Sequence, residues 1–196
     1  MPLFPAVAPG ANNSIFFFNV WLSDGPAPGR QYTQMPDDDD MEIGIRVDAA
    51  FSSDVQTAQS ILAAIACSTN RSGKYLSTNM PRSANLRGAS CGLAAMMAMC
   101  FPNEFEDVAF TGFVSPGNGG TCVVHDVDNV PLKIEGAIQQ RVKLIVPWSE
   151  AASNFSDVGT ANDFMMHGRL PNNCIVAAAY TALEALFLAK VLVTYY

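Results

Sequence analysis

Residues 14–22, SIFFFNVWL, are rich in aromatic and β-branched β-formers, which predicts a strand. Glycine and proline then punctuate residues 23–30, predicting a loop. Residues 42–47, EIGIRV, alternate polar and apolar side chains and predict a second strand. Ser53 and Asp54 offer an amino-terminal cap, and Val55, Ile61, Leu62, Ile65 and Ala66 follow at helical spacing. A polar linker leads to a short strand at 75–80. Residues 93–100, LAAMMAMC, are a small, wholly apolar helix stopped by Pro102. Strands follow at 108–114 and 121–124, joined by the turn SPGNGG, then a short helix at 134–141 and a buried strand, VKLIV, at 142–146. The stretch 174–193 reads as one closing helix with a wide apolar face. Strands and helices alternate beyond residue 42, so the predicted class is α/β (α+β).

With 196 residues, 49% of them hydrophobic, the chain holds enough apolar material for one folded domain. Residues 1–41, an N-terminal strand and a Pro/Gly/Asp-rich loop, belong with residues 42–196. A net charge of −7 with no basic block excludes a nucleic-acid footprint. The amino end lacks the positive start and apolar run of a secretory signal. Glu184 and Lys190 interrupt the apolar carboxyl-terminal stretch, arguing against a membrane span. The expected setting is therefore intracellular. Five irregularly spaced cysteines, with no Cys/His cluster, suggest reduced thiols and neither a metal nor another cofactor. The contiguous aspartates 37–40 lack the spaced oxygens of a calcium loop and read as a solvated run.

Candidate chemistry centres on residues 88–92, where Gly88, Ala89, Ser90, Cys91 and Gly92 spell GxSxG. Such a segment exposes a serine on a tight turn, with small neighbours and backbone N–H groups placed for an oxyanion. A serine nucleophile needs a base. One option is His125 or His167 with Asp126, Asp128 or Asp163, as in an esterase. That arrangement calls for a hydrophobic strand directly before the serine, and residues 82–87, RSANLR, are no such strand. The other option is a lysine made basic by burial. Of Lys74, Lys133, Lys143 and Lys190, Lys133 stands in one of the most apolar settings, VPLKIEGAI. Its bland alternative is a lysine whose stem packs while its amine reaches water. Cys91, beside the serine, reads as a small buried filler.

GASCG (88–92), VAFTG (108–112), VPLKIEGAI (130–138) and VKLIVP (142–147) occur in the order and spacing of a known family, with 43 residues separating Ser90 from Lys133. The chain resembles the proteolytic domain of Lon proteases and the related polyprotein-processing proteases of birnaviruses, over roughly residues 42–192. The resemblance implies a single Lon-like domain with small mixed sheets packed against helices. It implies Ser90 as nucleophile, Lys133 as general base and Thr111 as the hydroxyl orienting the lysine. The Ser90 N–H and the Gly88–Ala89–Cys91 surroundings would form the oxyanion and substrate loop. No ATPase module accompanies these motifs, so an ATP-driven machine is excluded. The expected partner is a polypeptide bound as an extended strand. The alternative is a catalytically silent scaffold in a virion or other assembly, suggested by the Pro-rich amino end and apolar carboxyl end, with self-association or capsid partners.

Overall fold

A computed structural model describes residues 1–8, 14–35, 44–68, 73–81, 83–84, 86–171 and 174–196. The aspartates at 37–40 lie outside them. The described residues form a mixed α/β fold with one large sheet and one small one.

Eleven strands are described: β1 (Leu3–Val7), β2 (Ile15–Ser23), β3 (Tyr32–Gln34), β4 (Ile45–Asp48), β5 (Lys74–Thr78), β6 (Val108–Phe110), β7 (Phe113–Pro116), β8 (Cys122–His125), β9 (Lys143–Pro147), β10 (Val158–Thr160) and β11 (Val176–Ala179). Six helices accompany them: α1 (Val55–Ala66), α2 (Gly92–Cys100), α3 (Val130–Gln140), α4 (Glu150–Ser153), α5 (Ala161–His167) and α6 (Ala182–Tyr195). Nine strands pair in the order β10-β11-β9-β6-β1-β2-β5-β4-β3, and β7 and β8 make a separate hairpin. The large sheet replaces the small sheets expected. Strands β1, β3, β10 and β11, none of them predicted, extend it at its centre and both edges.

From β10 to β1 the strands run parallel, and β1 turns antiparallel onto β2. Parallel strands require crossovers, which here contain α3 (between β6 and β9) and α4 and α5 (around β10). The faces of this half of the sheet divide cleanly. Val108, Phe110, Ile145, Ala177 and Ala179 point to a core shared with α1, α2 and α6, whereas Ala109, Leu144, Val146, Val176 and Ala178 face Ile134 and Ala137 of α3. Helix α2 lies inside the first core with every residue from Gly92 to Met99 buried, which explains a helix without a polar face.

Two expected elements are corrected. The stretch from 174 to 193 is not one helix: Val176–Ala179 is a buried parallel strand and the helix begins at Ala182. Four consecutive apolar residues carry no period, so a fully buried strand is indistinguishable from helix by pattern. The boundary comes from Thr181, whose hydroxyl accepts the Glu184 N–H while the Glu184 carboxylate accepts the Tyr180 N–H. Likewise 108–114 is not one strand. It breaks at Thr111–Gly112, where Gly112 adopts φ 147° and a Cβ would lie 2.8 Å from Val124 Cγ1. Helix α3 also starts earlier than expected, at Val130, with Pro131 in its first turn.

Close approach of α3 to β2 fixes where α3 stands. A Cβ on Gly136 would meet Ile15 Cγ1 at 2.6 Å. Gly136→Val should therefore lower the unfolding free energy by about 1–3 kcal/mol in urea titration, and adding Ile15→Ala should return part of that loss.

Candidate active site

The turn before α2 is held from one side by α1. Asp54 caps α1 by accepting the Thr57 N–H at 3.1 Å, and the same oxygen accepts the Gly88 N–H at 3.2 Å. These backbone donors hold the Asp54 carboxyl below its ordinary range. Thr57 Oγ1 donates to the Gly88 carbonyl at 2.9 Å, and Ser60 Oγ donates to the Ala89 carbonyl at 2.6 Å. Thr57 and Ser60 are fully buried, so these bonds satisfy groups that water does not reach. Gly88 takes φ 85°, a left-handed turn that glycine adopts without strain. At Gly92 a Cβ would come within 2.4 Å of Ser60 Oγ, so α2 can start this close to α1 only with glycine there. Ser90 stands half-buried at the end of this turn, with Cys91 as the N-cap of α2.

From the other side the Thr111–Gly112 break clasps the same residues. The Gly112 N–H donates to the Ser90 carbonyl at 3.1 Å, and the Leu93 N–H donates to the Gly112 carbonyl at 3.0 Å. The buried Thr111 hydroxyl points to the same Ser90 carbonyl, at 3.4 Å. Thr111 is itself fixed to the large sheet by its N–H, which donates to the Ile145 carbonyl at 3.0 Å.

Lys133 meets this pair from the first turns of α3. Only 3% of it is exposed, and Nζ donates to Thr111 Oγ1 at 3.2 Å. Among the described residues no carboxylate forms an ion pair with it; the recorded pairs are Lys74 with Asp24, Lys190 with Glu104, and Arg30 with Asp48. Burial lowers the Lys133 pKa to about 8, outweighing Asp128 and Asp126, both of which favour the charged amine. Burial pushes the Cys91 thiol up to about 12 even with Lys133 beside it, so the sulfur stays protonated at neutral pH.

Thus Lys133, Thr111, Cys91 and the Ser90 backbone converge. The histidines are engaged elsewhere. His125, exposed at the end of β8, has Nε2 2.7 Å from Ser115 Oγ, and His167 lines a cavity of about 510 Å³ with Asp163, Arg169, Leu170 and Pro171. Asp163 is occupied in the capping box of α5. Asp54, Thr57 and Ser60 are the site residues that pattern reading did not single out. Their signal was polar residues at i, i+3 and i+6 on a helix, with only Asp54 recognised, as a cap. Among the described residues, no group of three or more His, Cys, Asp or Glu side chains is arranged to hold a metal ion, and no helix is long and apolar enough to cross a membrane. In sequence comparison, the chain matches no protein-family model and no curated protein.

The buried amine has a consequence for stability. A lysine near pKa 8 when folded and 10.5 when unfolded binds fewer protons in the folded state between those values. Stability therefore rises with pH across that window, by on the order of 3 kcal/mol. Below pH 8 the folded protein carries the full cost of the buried charge. Lys133→Met should unfold at a higher temperature than the parent at pH 7, and calorimetry should show the gap closing toward pH 10.5.

Proposed function

We propose that the chain is a serine endopeptidase of the Lon-like kind, with Ser90 as nucleophile and Lys133 as general base. The observation that carries this reading is the buried, unpaired Lys133 amine on Thr111 Oγ1, itself in reach of the Ser90 carbonyl. A lysine with pKa near 8 is partly neutral at physiological pH and accepts a proton.

In the proposed reaction Ser90 Oγ attacks the peptide carbonyl and its proton passes to Lys133 Nζ. The tetrahedral oxyanion is met by the Ser90 N–H at the start of α2, where backbone donors and the helix dipole favour negative charge. As the C–N bond breaks, Lys133 returns the proton to the leaving amine. Water then attacks the acyl-serine, Lys133 takes its proton, and the ester bond to Ser90 breaks as the hydroxyl is restored. Thr111 orients the amine throughout, and Asp54, Thr57 and Ser60 keep the turn in shape. The substrate is a polypeptide bound as an extended strand; by resemblance it is a viral polyprotein, processed in the host cytoplasm or the virion.

One observation favours a second reading as an assembly protein. Met165, Met166 and Leu183 are 70–75% exposed, with Phe187 and Tyr195 also at the surface of α5 and α6, more apolar area than isolated surface residues leave. No contact brings either histidine to Ser90, so the esterase reading gains no support.

The test is cleavage of a peptide library, with labelling by a fluorophosphonate. Ser90→Ala should lose both cleavage and labelling. Lys133→Ala should lose cleavage by at least a thousandfold while keeping the parent circular dichroism. Because the base must be neutral, kcat/KM should climb with pH and level off above an apparent pKa near 8. Undiminished cleavage in either variant, with the fold intact, excludes the dyad.

A further inference from the structure

Three neighbouring parallel strands, β6, β9 and β11, end together at the candidate site. Gly112 lies two residues past β6, Trp148 one residue past β9 and Tyr180 one past β11. The ladder continues past the strand ends, with the Trp148 N–H donating to the Ala179 carbonyl at 2.9 Å. A Cβ on Gly112 would lie 3.4 Å from Pro147 Cγ, next to Trp148, and 2.8 Å from Val124 Cγ1, whose N–H donates to the Tyr180 carbonyl at 2.8 Å. The aromatic pair therefore begins about one strand spacing, roughly 5 Å, from the residue that clasps Ser90.

Side-chain alternation places the pair on a particular face. Ala109, Leu144, Val146, Val176 and Ala178 face α3, and the period of two carries Thr111, Trp148 and Tyr180 to that same side. This is the side from which Lys133 reaches Thr111. The two rings stack with centroids 4.5 Å apart and 22° between their planes, yet Trp148 remains 41% and Tyr180 49% exposed. The Glu184 carboxylate fixes the Tyr180 N–H. The carboxyl ends of the strands are where open α/β sheets take their ligands, and this aromatic face lies there.

We propose that Trp148 and Tyr180 form a substrate shelf, on which a polypeptide lying across Ser90 stacks one flat side chain, an aromatic ring or a guanidinium, at a fixed distance from the attacked bond. This rests on the protease reading for the direction of the chain, but the stacking itself does not need catalysis. Both groups share the planar face that an indole accepts. Carboxylates acting at the rim, Asp126 and Asp128 on Lys133 and Glu184 on Tyr180, disfavour an acidic residue there.

The experiment uses the Ser90→Ala chain and fluorescently labelled peptides carrying Phe, Arg, Ala or Glu at each position in turn, read by anisotropy. One position should prefer Phe or Arg over Ala and Glu by roughly three- to tenfold. Trp148→Ala should erase that preference with the circular dichroism unchanged, whereas Trp148→Phe, which keeps a flat face, should retain it. Comparing Phe with Arg at low and high salt separates ring from guanidinium. No positional preference, or a preference that survives Trp148→Ala, overturns the shelf. Failure of the protease reading is visible separately: the preference persists while the unmodified chain cleaves none of the same peptides.

Discussion

A lysine amine removed from water without a carboxylate partner is the constraint on which the site depends. Burial opposes its charge more strongly than Asp128 and Asp126 support it. The amine keeps one recorded hydrogen bond, to Thr111 Oγ1, so its position is only as good as that of the threonine. Thr111 is held by the sheet through Ile145, and α3 is seated on β2 by the missing side chain of Gly136. Two segments on either side of the β7–β8 hairpin thus bring one nitrogen and one hydroxyl together. The large sheet is the ruler between them.

The serine side is built differently, by hydrogen bonds to an irregular turn. Gly88 and Ala89 have no strand or helix to satisfy their carbonyls, and side chains of α1 do so instead: Thr57 at Gly88, Ser60 at Ala89, with Asp54 taking the Gly88 N–H. Buried polar groups of this sort are costly when half-satisfied and rigid when complete. Cys91 completes the picture by what it does not do. Its thiol, pushed up to about 12, adds no negative charge beside Lys133 at neutral pH. A thiolate there would hold the amine protonated and defeat its use as a base.

What the sequence disclosed follows from which signals are local. GASCG, Thr111 and Lys133 could be named because motif order and spacing survive without coordinates, and the structure brings Thr111, Lys133 and the Ser90 backbone into one place. The polar–apolar pattern located α1, β2, β5, α2 and β9 within a few residues. It failed where burial is complete on both faces. Val176–Ala179 merged with the helix after it, since a central parallel strand has no polar side to mark its period. It also missed β1, whose LFPAV sequence contains a proline that reads as a breaker, though the strand sits in mid-sheet. The α1 clamp was invisible for another reason. Thr57 and Ser60 look like ordinary helix-surface residues until the turn from 86 to 90 is laid over them.

The same physics sets the direction in which substrate would act on the base. In the proposed reaction a polypeptide covering Ser90 excludes more water from the neighbourhood of Lys133, and the desolvation that already dominates its pKa grows. A guanidinium on the aromatic shelf would add a like charge and push the same way, whereas an aromatic ring would add only exclusion of water. Asp126 and Asp128 oppose both, and being exposed they are the contributors most weakened by solvent and salt. The free chain is therefore the state in which the amine is hardest to deprotonate. Covering the site in the proposed reaction would then favour the neutral form at the moment it is needed.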